Sequence, residues 1–461
     1  MWFRLVSLLL AAAVSAGTQT DRRPVALVIA GGTVVTMENG RVLAPGAVAI
    51  DGRDIVAVDT PEAIAARFQP RETIDASDEV VMPGLINTHT HAPMVLYRGL
   101  ADDVSLMDWL QKFIFPAEAK TVSPEFVRAG TRLAALEMIQ SGTTTYADMY
   151  YFEEEIARTT KEAGLRGVLG QTIIQFPAPD AKTPAEGLAR AERFIKQYAG
   201  DDLIVPAVAP HSVYTLDEAS LRASRALADR EGAPVLIHLA ETQDEVRIVH
   251  KRHGTTPSGY LESLGFFGPQ TLAAHGVWLT DDELTLLARR GVGVAHNPES
   301  NMKLASGAAR VPAMRAAGIA VGVGTDGAAS NNDMDMFEAV RQAALLQKLQ
   351  TGDPRALPAR TALEMATIEG ARALGMDRQI GSLAPGKRAD LIVISTSAAR
   401  QTPVYDPLSH LVYATRGDDV TATIVNGRVL MRDRKVLTLN EAAVLQEARA
   451  VAVQVRAAVG R

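Results

Sequence analysis

His89 and His91 stand two residues apart at the end of the apolar run Val80-Val81-Met82-Pro83-Gly84-Leu85-Ile86-Asn87. On an extended backbone, side chains alternate between faces, so positions i and i+2 point the same way. Two imidazoles aimed together form half a metal site, because neutral imidazole is the commonest side-chain ligand for zinc and also serves iron. The competing reading is a polar strand end with two solvated histidines, and distant residues decide between the two. His211, His238, His275 and His296 each close or follow a short apolar segment, as does Asp326 in Val323-Gly324-Thr325-Asp326-Gly327. The chain has nine histidines. His250, His253 and His410 fall outside this pattern and read as solvated or packing residues.

Three imidazoles and one carboxylate hold a divalent ion and leave a position for water. We assign His89, His91, His238 and Asp326 to that set. The ion lowers the pKa of bound water toward neutrality, and Asp326 is suited to collect the water's proton. Glu241 follows His238 by three residues, over the expected pocket mouth. Partial desolvation there raises a carboxyl pKa and makes a general acid, against the alternative of a surface loop glutamate. His275 is placed to polarise or orient the water, and His211 to hydrogen-bond substrate.

The elements that must position these residues alternate strand with helix, the pattern of a parallel α/β sheet. Eight candidate strands are Val80–Asn87, Thr143–Asp148, Leu165–Thr172, Ile204–Ala209, Pro234–His238, Thr271–His275, Gly293–His296 and Ile319–Gly324. Helical stretches such as Pro124–Gln140 and Ala185–Tyr198 separate them. Eight such repeats predict an α/β fold, a closed (β/α)8 TIM barrel over residues 80–384, with its chemistry at the carboxyl ends of the strands. β-Branched segments flank the barrel, with hairpin signals at Asp51-Gly52 and Asn426-Gly427. Residues 25–79 and 385–435 therefore read as one small discontinuous β-sandwich domain made from both ends of the chain, followed by a C-terminal helix at 440–461.

Residues 1–16 read as a secretory signal peptide: Arg4 in a short basic start, an apolar stretch from Leu5 to Ala13, and small residues before Gly17. Export to the periplasm or medium is expected if that leader is genuine, otherwise a cytoplasmic location, with no stable membrane insertion after its removal. The chain lacks cysteine, so any metal site uses nitrogen and oxygen ligands. A net charge of −6, from 47 basic and 53 acidic residues, gives no footprint for nucleic acid and points to a small-molecule substrate.

From Pro83 to Asp326 the chain resembles the amidohydrolase superfamily, and within it the branch of 5-methylthioadenosine/S-adenosylhomocysteine deaminases, neighbour to triazine chlorohydrolases and guanine deaminases. The resemblance lies in Pro83-Gly84-Leu85-Ile86-Asn87-Thr88-His89-Thr90-His91, His238-Leu239-Ala240-Glu241, His296-Asn297-Pro298-Glu299-Ser300-Asn301, Gly324-Thr325-Asp326-Gly327 and Gly386-Lys387-Arg388-Ala389-Asp390-Leu391. It implies one zinc or iron ion on His89, His91, His238 and Asp326, with Glu241 protonating a purine ring nitrogen. It also implies ribose contacts from Glu118, a substrate contact from His211, and a homo-oligomer. The departure lies after the third strand, where relatives that act on S-adenosylhomocysteine place arginines for its carboxylate. This chain reads Gly170-Gln171-Thr172 there. Without a bidentate arginine, methylthioadenosine, adenosine or another uncharged amino-heterocycle is favoured over the homocysteine conjugate. Hydrolysis of another amino- or chloro-substituted ring by the same site is the alternative. A barrel that only binds or assembles is disfavoured, since no ligand is missing.

Overall fold

The computed structural model describes residues 22–460, so the expected leader lies outside the described residues. Eight parallel strands form the barrel sheet: Leu85–Thr90, Thr143–Tyr150, Arg166–Ile173, Ile204–Pro210, Val235–Leu239, Thr271–His275, Gly293–His296 and Val321–Val323. The seam between the last strand and the first is closed by side chain and backbone together. Asp326 N–H donates to the His89 carbonyl at 2.9 Å, and Thr325 N–H to Asn87 Oδ1 at 3.0 Å. Several helices between the strands begin on side-chain caps. Ser123, for example, accepts the Phe126 N–H to start Pro124–Gln140, which carries proline in its first turn and buries Phe126, Val127 and Leu136.

The first expected strand, Val80–Asn87, proves to be two. Glu79–Pro83 pairs antiparallel with Leu391–Ser395 outside the barrel, and only Leu85–Thr90 enters it. Gly84 is the crossing point. A Cβ there would stand 2.1–2.6 Å from the Thr144 side chain, so only glycine lets the chain pass so close to the second strand. Both halves read as one apolar run because both are buried, Val80, Met82 and Leu85 in one cluster and Val81 in the layer between the outer sheets.

Outside the barrel, a four-stranded sheet (Asp54–Asp59, Ala47–Asp51, Arg23–Ala30, Phe68–Asp75) faces a seven-stranded sheet that joins Thr33–Val35 and Glu79–Pro83 to Leu391–Ser395, Val420–Val425 and Arg428–Arg432. Ile29, Val48 and Ile50 from one sheet and Val81, Leu391, Val393 and Ile424 from the other form one apolar layer. Helix Glu441–Val459 then packs back on the barrel. None of the described helices is long and apolar enough to cross a membrane.

Barrel and sandwich are pinned together by a buried ion pair. Arg166, at the amino end of the third barrel strand, donates through Nε and Nη2 to the two oxygens of Asp390 at 2.8 and 3.2 Å. Removing one partner leaves a buried charge without compensation. Asp390→Ala is expected to destabilise the protein by about 3 kcal/mol or more, read as a lower thermal midpoint with the metal content unchanged.

Candidate active site

The carboxyl ends of the barrel strands converge on one cavity. His91, Glu118, His211, His238, Glu241, His275 and Asp326 all line it, and His89 lies directly beneath them. Every sequence-predicted site residue is therefore at one place. His296, by contrast, is buried with neither ring nitrogen paired and is absent from the cavity wall. Three residues around the cavity hold left-handed backbone conformations although none is glycine: Ala240 (φ 51°), His275 (φ 74°) and Asp326 (φ 64°). Such strain is kept where the surrounding structure fixes a side chain's direction.

The tautomers follow from the hydrogen bonds. His91 Nδ1–H donates to the Met149 carbonyl at 2.6 Å, and His238 Nδ1–H to the His211 carbonyl at 2.8 Å. Each Nε2 is then an unprotonated lone-pair donor. These two Nε2 atoms face one another at 3.3 Å, and lone pair against lone pair is no hydrogen bond. His89 Nε2 is buried with no partner. Asp326 Oδ1 stands 3.5 Å from His89 Nε2 and 3.4 Å from His91 Nε2. His89, His91 and Asp326 bring ligand atoms close enough to share one ion, and His238, grouped with His89 and His275 and facing His91, stands beside them; such a cluster of electron-pair donors fits a small divalent cation. Burial holds His89 down to about 4, so it is neutral and able to ligate. Burial pushes Asp326 up, but the adjacent His89 and the other imidazoles outweigh it and hold the carboxylate well below its usual range.

The supports come from sequence-distant residues. Asp148 accepts from Thr90 Oγ1 at 2.7 Å and from the Ala92 N–H at 2.5 Å, which fixes the turn that carries His91. Ser300 Oγ donates to Asp326 Oδ2 at 2.6 Å, and His275 Nδ1–H donates to Asn301 Oδ1 at 2.9 Å. Ser300 and Asn301 were visible as part of the His296–Asn301 motif, but nothing local shows what they touch. Glu241 is 5 % exposed, and burial, then the Asp326 charge, holds its carboxyl well above the usual range. Its Oε2 is 3.8 Å from His275 Nε2. His211 is kept neutral by burial, its pKa pushed down to about 3, and its Nδ1 lies 3.1 Å from Thr215 Oγ1.

Glu118 comes from the helix Phe115–Thr121, which continues a π-helical segment, Trp109–Ile114. Local π geometry of this kind is frequent at functional sites. Gln171 is not free for substrate: its Nε2 donates to Asp180 Oδ2 at 2.9 Å and to the Thr172 carbonyl at 3.1 Å. Trp278 donates from Nε1 to the Ser306 carbonyl at 2.8 Å and so braces the loop behind Leu304, a cavity-wall residue.

A (β/α)8 barrel with such a set of groups at the carboxyl ends of its strands is an enzyme of the barrel-hydrolase class. The chain belongs to the amidohydrolase family, whose pattern matches residues 80–430. It is 48% identical over 427 residues to a 5-methylthioadenosine/S-adenosylhomocysteine deaminase of Syntrophobacter fumaroxidans, covering 92% of this chain and 97% of that one. It is also 48% identical to a 5'-deoxyadenosine deaminase of Methanosarcina barkeri over 82% of this chain and 87% of the relative. Among solved structures it is similar to an adenosine deaminase from Xanthomonas campestris with bound zinc, at TM-score 0.93 and 41% identity, covering 95% of this chain and 100% of that one. A zinc-complexed atrazine chlorohydrolase of Arthrobacter aurescens shares the fold, at TM-score 0.85 and 24% identity over 92% of this chain and 100% of that one.

Proposed function

We propose that this protein is a metal-dependent hydrolytic deaminase of adenine nucleosides that converts the amino-bearing ring to its oxo form and releases ammonia. The observation that carries the reading is a buried Glu241 carboxyl, held above its usual range, beside a cluster of imidazole nitrogens and the Asp326 carboxylate. The names of the relatives support the same substrate class.

His89, His91, His238 and Asp326 would hold the ion, zinc by preference, since a nitrogen-rich set with one carboxylate suits it and iron is the alternative. When bound, the ion supplies a Lewis-acidic centre that brings the pKa of a coordinated water toward neutrality. Asp326, held ionised by the imidazoles around it, would take a proton from the attacking water. Glu241 gives its own proton to the ring nitrogen next to the amino-bearing carbon. That carbon thereby becomes electrophilic as the water oxygen adds to it. The proton held by Asp326 goes to the amino group, the carbon–nitrogen bond breaks, and ammonia leaves, while the added hydroxyl becomes the ring oxo group and its proton restores Glu241. His275, fixed by Asn301, orients the attacking oxygen, and neutral His211 bonds the substrate from the opposite wall.

Glu118 is assigned to the ribose hydroxyls, where a carboxyl accepts from both. Burial pushes it up to about 8 from an ordinary 4.5. Because the folded form keeps a proton that the unfolded chain releases, stability falls with rising pH through that window, by about 1.4 kcal/mol per pH unit. Glu118→Gln has no such slope. Its thermal midpoint is expected to gain on wild type progressively between pH 5 and pH 8, while KM for the nucleoside rises about tenfold or more through the missing acceptor. Midpoints at several pH values and steady-state kinetics check both parts.

With Gln171 locked by Asp180, the site has no free group there for a carboxylate, and an uncharged 5'-substituent is preferred. The test is ammonia release by the zinc-loaded protein across adenosine, 5'-deoxyadenosine, methylthioadenosine, S-adenosylhomocysteine, free purines and triazines. Turnover of the adenine nucleosides is expected, and ammonia release from none of them would overturn the reading.

A further inference from the structure

Glu245 is the third residue of the helix Gln243–His253, and with Thr242 it has the Thr-x-x-Glu spacing of a capping box. In that motif the glutamate returns to the N–H of the capping residue. Here it reaches further back. Its Oε1 accepts the Ala240 N–H at 3.0 Å, and its Oε2 accepts the Glu241 N–H at 2.9 Å. Thr242 still caps the helix, its Oγ1 accepting the Glu245 N–H at 3.3 Å.

The grip falls on a strained place. Ala240, at φ 51°, is in the left-handed region, which a residue with a Cβ adopts only under constraint. Successive N–H groups around a left-handed residue converge into a concavity that accepts an anion, here the two oxygens of one carboxylate. The opposite side of the same turn is stapled by backbone: Trp278 N–H donates to the Ala240 carbonyl at 2.9 Å, and Gly276 N–H to the Leu239 carbonyl at 3.0 Å. The next side chain along is Glu241. Glu245 itself is 2 % exposed and does not line the cavity, so it has no route to substrate.

We infer that Glu245 is a positioning residue whose two-oxygen grip on the Ala240 and Glu241 N–H groups holds the left-handed turn and so aims Glu241 at the reacting ring. This rests on the proton-donor role proposed for Glu241. Without a second acceptor oxygen the concavity opens, Ala240 relaxes to an ordinary conformation, and the Glu241 carboxyl swings away from the ring nitrogen.

Glu245→Gln is the sharp probe, because glutamine keeps the shape but offers one acceptor and turns an NH2 toward the other N–H. Its kcat for the adenine nucleoside is expected to fall about 10-fold and that of Glu245→Ala about 100-fold, the scale of a roughly 1 Å misplacement. KM should stay within about threefold and the metal content unchanged. Thr242→Ala removes the helix cap while leaving the grip, so its thermal midpoint should drop with kcat within about twofold of wild type. If Glu245→Ala fails to fold, the isosteric glutamine variant still decides. An active wild type with undiminished Glu245→Gln overturns the inference alone, as does an equal fall of kcat in Thr242→Ala. Failure of the wild type itself to release ammonia from any adenine nucleoside overturns both the inference and the reading beneath it.

Discussion

Replacing Glu241 with glutamine is expected to lower kcat for an adenine nucleoside by about 10³-fold, with the metal content and thermal midpoint close to wild type. Glutamine fills the same space and keeps a carbonyl acceptor, so the pocket's shape survives. What it lacks is the proton. In the native protein burial, and then the nearby Asp326 charge, hold the Glu241 carboxyl well above its usual range, which favours the protonated form that the ring nitrogen needs. Without that transfer, about 4 kcal/mol of transition-state stabilisation disappears. KM should move little, because the proton matters most once charge develops on the ring. Steady-state kinetics with metal analysis on the same preparation measure this directly. A variant that keeps more than about a tenth of wild-type kcat would remove Glu241 from the acid role.

Stripping the metal with a chelator is expected to bring ammonia release to background and to lower the thermal midpoint, both being restored by zinc. The stability change has a local cause. The Nε2 atoms of His91 and His238 face each other at 3.3 Å with lone pairs opposed, and His89 Nε2 is buried with nothing to bond. A cation converts those three liabilities into ligand contacts. A species that binds only the folded form stabilises it by mass action, by about 4 kcal/mol when present at 1,000 times its dissociation constant. His238→Ala should fold yet fail to regain activity with zinc, since it removes one ligand and leaves the set incomplete. Metal content by elemental analysis and turnover before and after reconstitution distinguish this from a general failure of folding. Full activity in a verified metal-free preparation would overturn the assignment.

Much of the site was legible before any fold was known, because strand-end positions obey local geometry. The two-residue spacing of His89 and His91 holds for any extended segment, and the apolar stretches before His238, His275 and Asp326 mark where barrel strands stop. The supports were not legible in this way. Asp148 fixes the turn at Ala92 from 56 residues away, and Ser300 steadies Asp326 across 26. Nothing in either neighbourhood names its partner. The Thr242–Glu245 pair shows the same limit: its spacing has the form of a capping box, yet at a left-handed Ala240 the carboxylate takes other donors.

The clearest division runs through Val80–His91. Alternation along that run was enough to place the two histidines on one face, and its apolar character was enough to predict a strand. Which sheet each half joins was settled elsewhere, by Leu391–Ser395 offering an antiparallel edge to Glu79–Pro83, and by the Thr144 side chain leaving room at position 84 for glycine alone. Protonation followed the same logic. Residue type makes Glu241 a candidate acid and His238 a candidate ligand, since those are properties of the side chains themselves. Whether the acid keeps its proton and the imidazole presents a bare nitrogen depends on desolvation and on the His211 carbonyl, which exist only after eight strands have closed around them.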